Sequence, residues 1–287
     1  MNEFLHTSKE ENEKRWKELK LSDNFIFQKF MSNPTNCKKV LSEILGIEVT
    51  QVEYPDYERV VDIRPDAKSI RLDVYVKGLD TVYNIEMQCS DKEHIPKRSR
   101  YYQDLIDLDL MEKGAHYSEL NTSYIIFICT FDYYGLGYYK YTFTNQCKEV
   151  KDLVFGDETT KIVVNTKGST GKVSRDFLDF INAVNGKFDN TGYSATIKSE
   201  IEKIKDNNQW RREYMTLYLH ERQMMWDSLQ EGMKKGLEEG RKEGRAEADR
   251  SAIKKMLTKL TPDEVVELGY ERKLVMEISG EILHSKG

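Results

Sequence analysis

The chain has 287 residues, enough for about two domains, and its 39% hydrophobic content supports a packed core. With 32% charged residues and a formal net charge of −5, it is not a wholly basic nucleic-acid coat, so phosphate contact needs a local patch or a metal. Four scattered cysteines (Cys37, Cys89, Cys129, Cys147) without a Cys-x-x-Cys pair, and five histidines without ligand spacing, exclude a disulfide framework and a zinc site.

In chain order, Met1-Asn2-Glu3-Phe4 lacks the basic start and apolar run of a signal peptide. No stretch nears the roughly 20 apolar residues of a membrane span, so no membrane partner and a cytoplasmic location are expected. Residues 1–20 read as a charged N-terminal arm, either a solvated helix or a loose segment. Ser22 or Asp23 can cap a helix with Phe27 and Phe30 on its inner face. Pro34 interrupts, and a second helix carries Val40, Leu41, Ile44 and Leu45 to a stop at Gly46. Strand patterns follow near 48–54, 69–77 and 81–89.

The last two strands hold the candidate chemistry. Side chains alternate faces along a strand. Leu72, Val74 and Val76 therefore share one face, and Arg71, Asp73 and Tyr75 the other. Likewise Tyr83, Ile85 and Met87 oppose Asn84, Glu86 and Gln88. Gly78 and Asp80 are turn formers. Pairing Lys77 with Val82 around a loop of residues 78 to 81 sets Asp73 opposite Glu86 and Arg71 opposite Gln88. Directly opposed residues have Cβ atoms about 4.5–5.5 Å apart, where like charges repel. A divalent cation removes the conflict, since hard cations take carboxylate oxygens. Periodicity alone leaves a second reading open, in which the acids are solvated or pair with Arg71 or a lysine.

After Pro96, a helical pattern through Tyr101, Leu105, Leu108 and Met111 or Glu112 ends at Gly114. Tyr124-Ile125-Ile126-Phe127-Ile128-Cys129 is a continuous apolar run that suits a strand buried on both faces. Tyr139–Phe143 and Lys161–Val164 extend the same sheet. Ser174 caps a helix with Phe177, Phe180, Ile181 and Val184 on one face. A longer helix carries Trp210, Tyr214, Leu217, Tyr218, Met225 and Leu229 into a repeat of Gly232, Gly236, Gly240 and Gly244. The expected segments are a charged arm (1–20), a core (21–168), a helical subdomain (169–230), a charged glycine-repeat helix (231–250) and a small helical tail (251–287). The repeat helix balances six basic against six acidic residues. Its charged intervening residues rule out a membrane glycine motif. Two readings remain for it, a close helix–helix contact in a homodimer or a frayed, solvated linker. In the tail, Thr261-Pro262-Asp263-Glu264 starts a short helix that Gly269 ends, and another follows through Leu274, Val275 and Ile278.

These pieces resemble the recombination-promoting nuclease and transposase (Rpn) family, a branch of the PD-(D/E)-x-K nuclease superfamily. The resemblance covers roughly residues 20 to 250. It rests on Leu72-Asp73-Val74, Ile85-Glu86-Met87-Gln88 and Arg98-Ser99-Arg100-Tyr101-Tyr102-Gln103. It rests also on the strand Ser123–Phe131, on Trp210-Arg211-Arg212-Glu213-Tyr214-Met215, and on the glycine repeat. It implies an α/β fold with a restriction-endonuclease-like αβββαβ core, a mixed sheet flanked by helices, followed by a helical C-terminal extension. It implies a Mg²⁺-dependent DNA endonuclease associated with recombination or mobile elements, with Mn²⁺ as a substitute metal. Asp73 and Glu86 match the superfamily acids, and the Met87 carbonyl would be a third metal ligand. Gln88 stands where lysine is usual. A lysine can neutralise transition-state charge, whereas glutamine can only hydrogen-bond.

Arg98, Arg100, Lys97 or Lys92 could replace that charge. The segment 91–100 has a formal charge of +2. Lys97, Arg98, Arg100 and Tyr102 are candidate DNA contacts, with a solvated helix face as the alternative. Asp23 is a candidate extra acid, although helix capping also accounts for it. Pro65-Asp66 reads as a loop turn rather than the catalytic pair. The competing function is a catalytically weak protein that binds DNA or a partner and assembles through its C-terminal helices. A glycosidase fits poorly, since no sugar-stacking tryptophan lies near the acids.

Overall fold

The computed structural model describes residues 8–53, 56–61, 70–78, 80–91 and 94–284. Pro65-Asp66 and Lys92 lie outside them, as does the side chain of Arg71. The chain forms two compact units, one of residues 8–215 and one containing the described residues from Thr216 onward.

The first unit begins with three helices, α1 (Lys9–Glu18), α2 (Asn24–Met31) and α3 (Pro34–Leu45). Ser8 and Glu11 close a capping box on α1. This helix is not wholly solvated. Trp16 is buried, its ring packs on Phe25 and Tyr214, and its indole N–H donates to the Lys205 carbonyl at 2.8 Å. Asn33 caps α3, with Pro34 in its first turn. Gly46 ends it at φ 74°, a left-handed position that favours glycine.

Six strands form one mixed sheet in the order β1-β2-β3-β4-β6-β5. They are β1 (Asp56–Val61), β2 (Ile70–Lys77), β3 (Thr81–Gln88), β4 (Thr122–Cys129), β5 (Lys140–Phe143) and β6 (Thr159–Asn165). The first strand lies later than the 48–54 pattern suggests. In that segment Val49 is buried, and the Glu53 N–H donates to the Lys77 carbonyl at 2.8 Å, yet its described residues, 48–53, form no strand. Its alternation records burial against the helices, not ladder pairing.

β2 and β3 make the expected hairpin, with Val74↔Ile85, Tyr75↔Asn84, Val76↔Tyr83 and Lys77↔Val82. Then α4 (Ile95–Leu110) crosses over, so β3 and β4 run parallel. The buried residues of α4 are Ile95, Ser99, Tyr102, Gln103, Leu105 and Ile106. Leu108 is 61% exposed, and the helix stops four residues before Gly114. The apolar spacing of that run fits two adjacent stripes, and packing selects the one centred on Tyr102 and Ile106.

The sheet is covered on both faces, as the apolar run of β4 requires. On one face Val74, Ile85, Ile126, Ile128 and Val164 pack against Phe27 and Phe30 of α2, Leu41 of α3, and Phe177 and Phe180 of α5 (Arg175–Val184). Ser174 caps α5 by accepting from the Phe177 N–H at 2.9 Å. α6 (Gly192–Asp206) adds Ile197, Ile201 and Ile204. On the other face Tyr75, Ile125, Phe127 and Val163 meet Ile95, Tyr102 and Ile106 of α4.

α7 (Asn208–Met256) is continuous through all four repeat glycines, and among the described residues no heavy atom outside the helix lies within 4 Å of a Cβ built on any of them. In the second unit, Ile253, Val265, Val275 and Ile278 form a small core with α8 (Pro262–Glu267) and α9 (Arg272–His284). Thr261 and Glu264 close the capping box on α8, and Gly269 follows at φ 100°. Thr261→Ala removes an N-cap and is expected to lower the stability of this unit by about 1 kcal/mol, read as a shift in urea midpoint at unchanged slope. A midpoint that does not move would show that the cap contributes nothing.

Candidate active site

The site forms where β2 and β3 part. The regular ladder ends at Val74↔Ile85. Beyond it, side chains replace backbone partners. The Asp73 N–H donates to Glu86 Oε1 at 3.2 Å, and the Met87 N–H donates to Asp73 Oδ2 at 3.1 Å. The two carboxylates thus sit between the strands, each held by the other strand's acid-bearing segment. The expected alternation also breaks here. Leu72 packs into the α4-side core, while Val74 and Val76 pack on the opposite face.

Glu86 and Gln88 are both buried, at 0% and 5% exposure. A buried carboxylate needs a counter-charge, and α4 supplies one. Arg98 Nη2 lies 2.6 Å from Glu86 Oε2, and its Nη1 donates to Gln88 Oε1 at 2.8 Å. Its Nε donates to the Tyr102 hydroxyl at 2.7 Å. The guanidinium also stands over the rings of Tyr102 and Phe127, at 5.0 and 5.3 Å. Gln88 completes its bonding by donating to the Ser90 carbonyl at 2.7 Å. Burial, reinforced by the neighbouring Asp73, pushes Glu86 up to about 8, although Arg98 pulls the other way.

Among the basic residues weighed against the missing lysine, Arg98 is thus seen against both Glu86 and Gln88. The exposed Lys97 and Arg100 lie on the same first turns of α4, on its solvent side. Tyr102 is 7% exposed and stacks on Phe127 at 6.3 Å, so its ring belongs to the core rather than to a DNA-facing surface. Asp23 holds the N-cap position of α2, but its side chain accepts from the Lys20 N–H at 2.5 Å instead of a helix N–H. The Cys89 thiol donates to the Ser22 carbonyl at 3.3 Å. Desolvation, reinforced by the charges of Asp23 and Asp73, pushes that thiol up. Sequence reasoning missed Phe127 as the floor beneath Arg98. The parallel pairing that sets Phe127 beside Glu86 appears only in the sheet.

The donor set of Asp73 and Glu86 is all oxygen, which fits a hard divalent cation rather than zinc or copper. Among the described residues no three His, Cys, Asp or Glu side chains gather into a metal-holding group. Such an ion would have few protein ligands and would rely on water and substrate oxygens, as Mg²⁺ commonly does.

A helical layer, three strands, a crossover helix and a fourth strand, with paired acids at the parting of two strands, define a PD-(D/E)XK-like α/β nuclease fold. Residues 21–155 match the family model described as PD-(D/E)XK nuclease family transposase. The match begins at α2 and ends before β6. Searches of curated proteins and of solved structures returned no match. The family supports a nuclease- or transposase-like role, and its nucleases typically use divalent metals. No described helix is long and apolar enough to cross a membrane.

Proposed function

We propose that the chain is a Mg²⁺-dependent DNA endonuclease that acts in the cytoplasm and is associated with recombination or mobile elements. The observation that carries this reading is the pair of interstrand carboxylates, Asp73 and Glu86, held between the strands by backbone N–H groups. Those two acids and the Met87 carbonyl would hold the ion. When bound, the ion supplies a water of lowered pKa and polarises the phosphodiester. The chain's own part is positional. Asp73 and Glu86 are fixed before substrate arrives, because each is hydrogen-bonded to the other strand. Arg98 provides fixed positive charge beside Glu86, where a lysine on β3 would otherwise stand, and Gln88 aligns it. Lys97 and Arg100 offer exposed cations to backbone phosphates. Cleavage leaves a 5′-phosphate and a 3′-hydroxyl.

The second reading is a catalytically weak DNA- or partner-binding protein, assembling as a homodimer through α7. It is favoured by the engagement of Glu86, Gln88 and Arg98 with one another. Nicking of a supercoiled plasmid, with Mg²⁺ or Mn²⁺ and with EDTA, separates the two. Metal-dependent nicking lost in Glu86→Ala supports the nuclease. DNA that is retarded but never cut supports the binder.

A further inference from the structure

Beside the acids, on the α4 face of the sheet, lies a pocket of about 430 Å³. Ligand sites commonly measure about 300–1,000 Å³. Its walls are Phe127, Tyr134 and Phe143, and its cations are Arg100 and Lys161. Strand register fixes its distance from the acids. Glu86 pairs with Phe127, and Phe127 with Val163 at the pocket floor. Two strand spacings therefore separate Glu86 from Val163, roughly 10 Å. Phe127 is shared, since Arg98 stands over its ring while the ring also lines the pocket.

The aromatic wall is held in place. Tyr134 packs on Phe143 at 5.3 Å and on Tyr141 at 4.9 Å. The preceding loop is fastened by Asp132, which accepts from the N–H groups of Gly135 and Gly137 and from the Tyr141 hydroxyl. Phe143 nevertheless remains 42% exposed. Asn145 donates to Asp157 at 2.6 Å, which fixes the far wall, and Lys161 Nζ donates to the Thr159 hydroxyl at 2.9 Å, with the Asp107 carboxylate close enough to feel its charge. An exposed aromatic face flanked by two cations is the recognition chemistry of an unpaired nucleotide, in which the base stacks and the phosphate meets the charges.

We infer that this pocket takes an unpaired DNA nucleotide flanking the cleaved phosphate, so that the substrate is single-stranded or locally opened DNA. The inference rests on the nuclease reading for its place in catalysis, but its binding test does not. The full chain is titrated in EDTA against a short fluorescein-labelled single strand and against the blunt duplex of the same sequence, with anisotropy as readout. Phe143→Ala is expected to weaken single-strand binding about tenfold or more, with Phe143→Trp restoring it and duplex binding unchanged. Unchanged single-strand binding, or equal loss for both DNAs, overturns the pocket. Asp73-dependent nicking alongside unchanged strand binding by Phe143→Ala removes the pocket and keeps the nuclease. Phe143-dependent strand binding without any cleavage keeps the pocket and removes the nuclease.

Discussion

Asp73→Ala is expected to lower Mg²⁺-dependent plasmid nicking by at least about a hundredfold, the scale of losing one preorganised electrostatic group from an active site. The expectation follows from position rather than charge alone. Asp73 Oδ2 accepts the Met87 N–H, and the Asp73 N–H holds Glu86 Oε1. Truncation therefore removes one oxygen ligand and loosens the segment that carries the other. Asp73→Asn isolates the two effects. It keeps a carbonyl oxygen for the Met87 N–H but loses the negative charge. Both variants should be inactive if metal binding is the role of the group. An asparagine variant as active as wild type would assign Asp73 to strand architecture instead, and nicking that survives in the alanine variant would remove it from the site altogether.

Arg98→Ala is expected to destabilise the first unit by about 3 kcal/mol, the low end of the usual cost of breaking a buried ion pair from one side. Three acceptors lose a donor at once: Glu86, Gln88 and the Tyr102 hydroxyl, all buried. The side chain also covers the rings of Tyr102 and Phe127, so packing is lost with the charge. Glu86, already pushed up to about 8, can take a proton, which limits the penalty. The measurement is a urea midpoint at neutral pH, compared with Arg98→Lys. Lysine restores one point charge but cannot bond three partners through a planar fork, so it should recover only part of the loss. An alanine variant as stable as wild type would show that the ion pair contributes no net stability and would leave Arg98 a purely functional role.

The hairpin was legible because two short-range signals agree. Alternation sets the faces of β3 and of β2 from Val74 onward, and Gly78 with Asp80 places the turn, so the register of that stretch follows with little freedom. The paired acids and the double-sided burial of β4 were legible for the same reason. Other features were not. The described part of the 48–54 segment, residues 48–53, buries Val49 without forming a strand, because periodicity reports burial and says nothing of partners. Leu108 fits a helical stripe yet faces solvent, because two overlapping stripes share that spacing. Trp16 stands in a charged segment, and only a fold that returns Tyr214 and Lys205 beside it accounts for its burial.

By itself, then, the sequence determined what repeats over two to four residues: most strand faces, helix caps such as Ser174 and Thr261, and the candidate acids. Tertiary structure decided what lies between elements. The separation of β2 from β3 at Asp73 appears only when Leu72 packs away from Val74. The choice of Arg98 over its basic neighbours appears only when α4 lies across the sheet. Local periodicity is set by backbone geometry within one element, whereas a buried charge finds its partner through the packing of two.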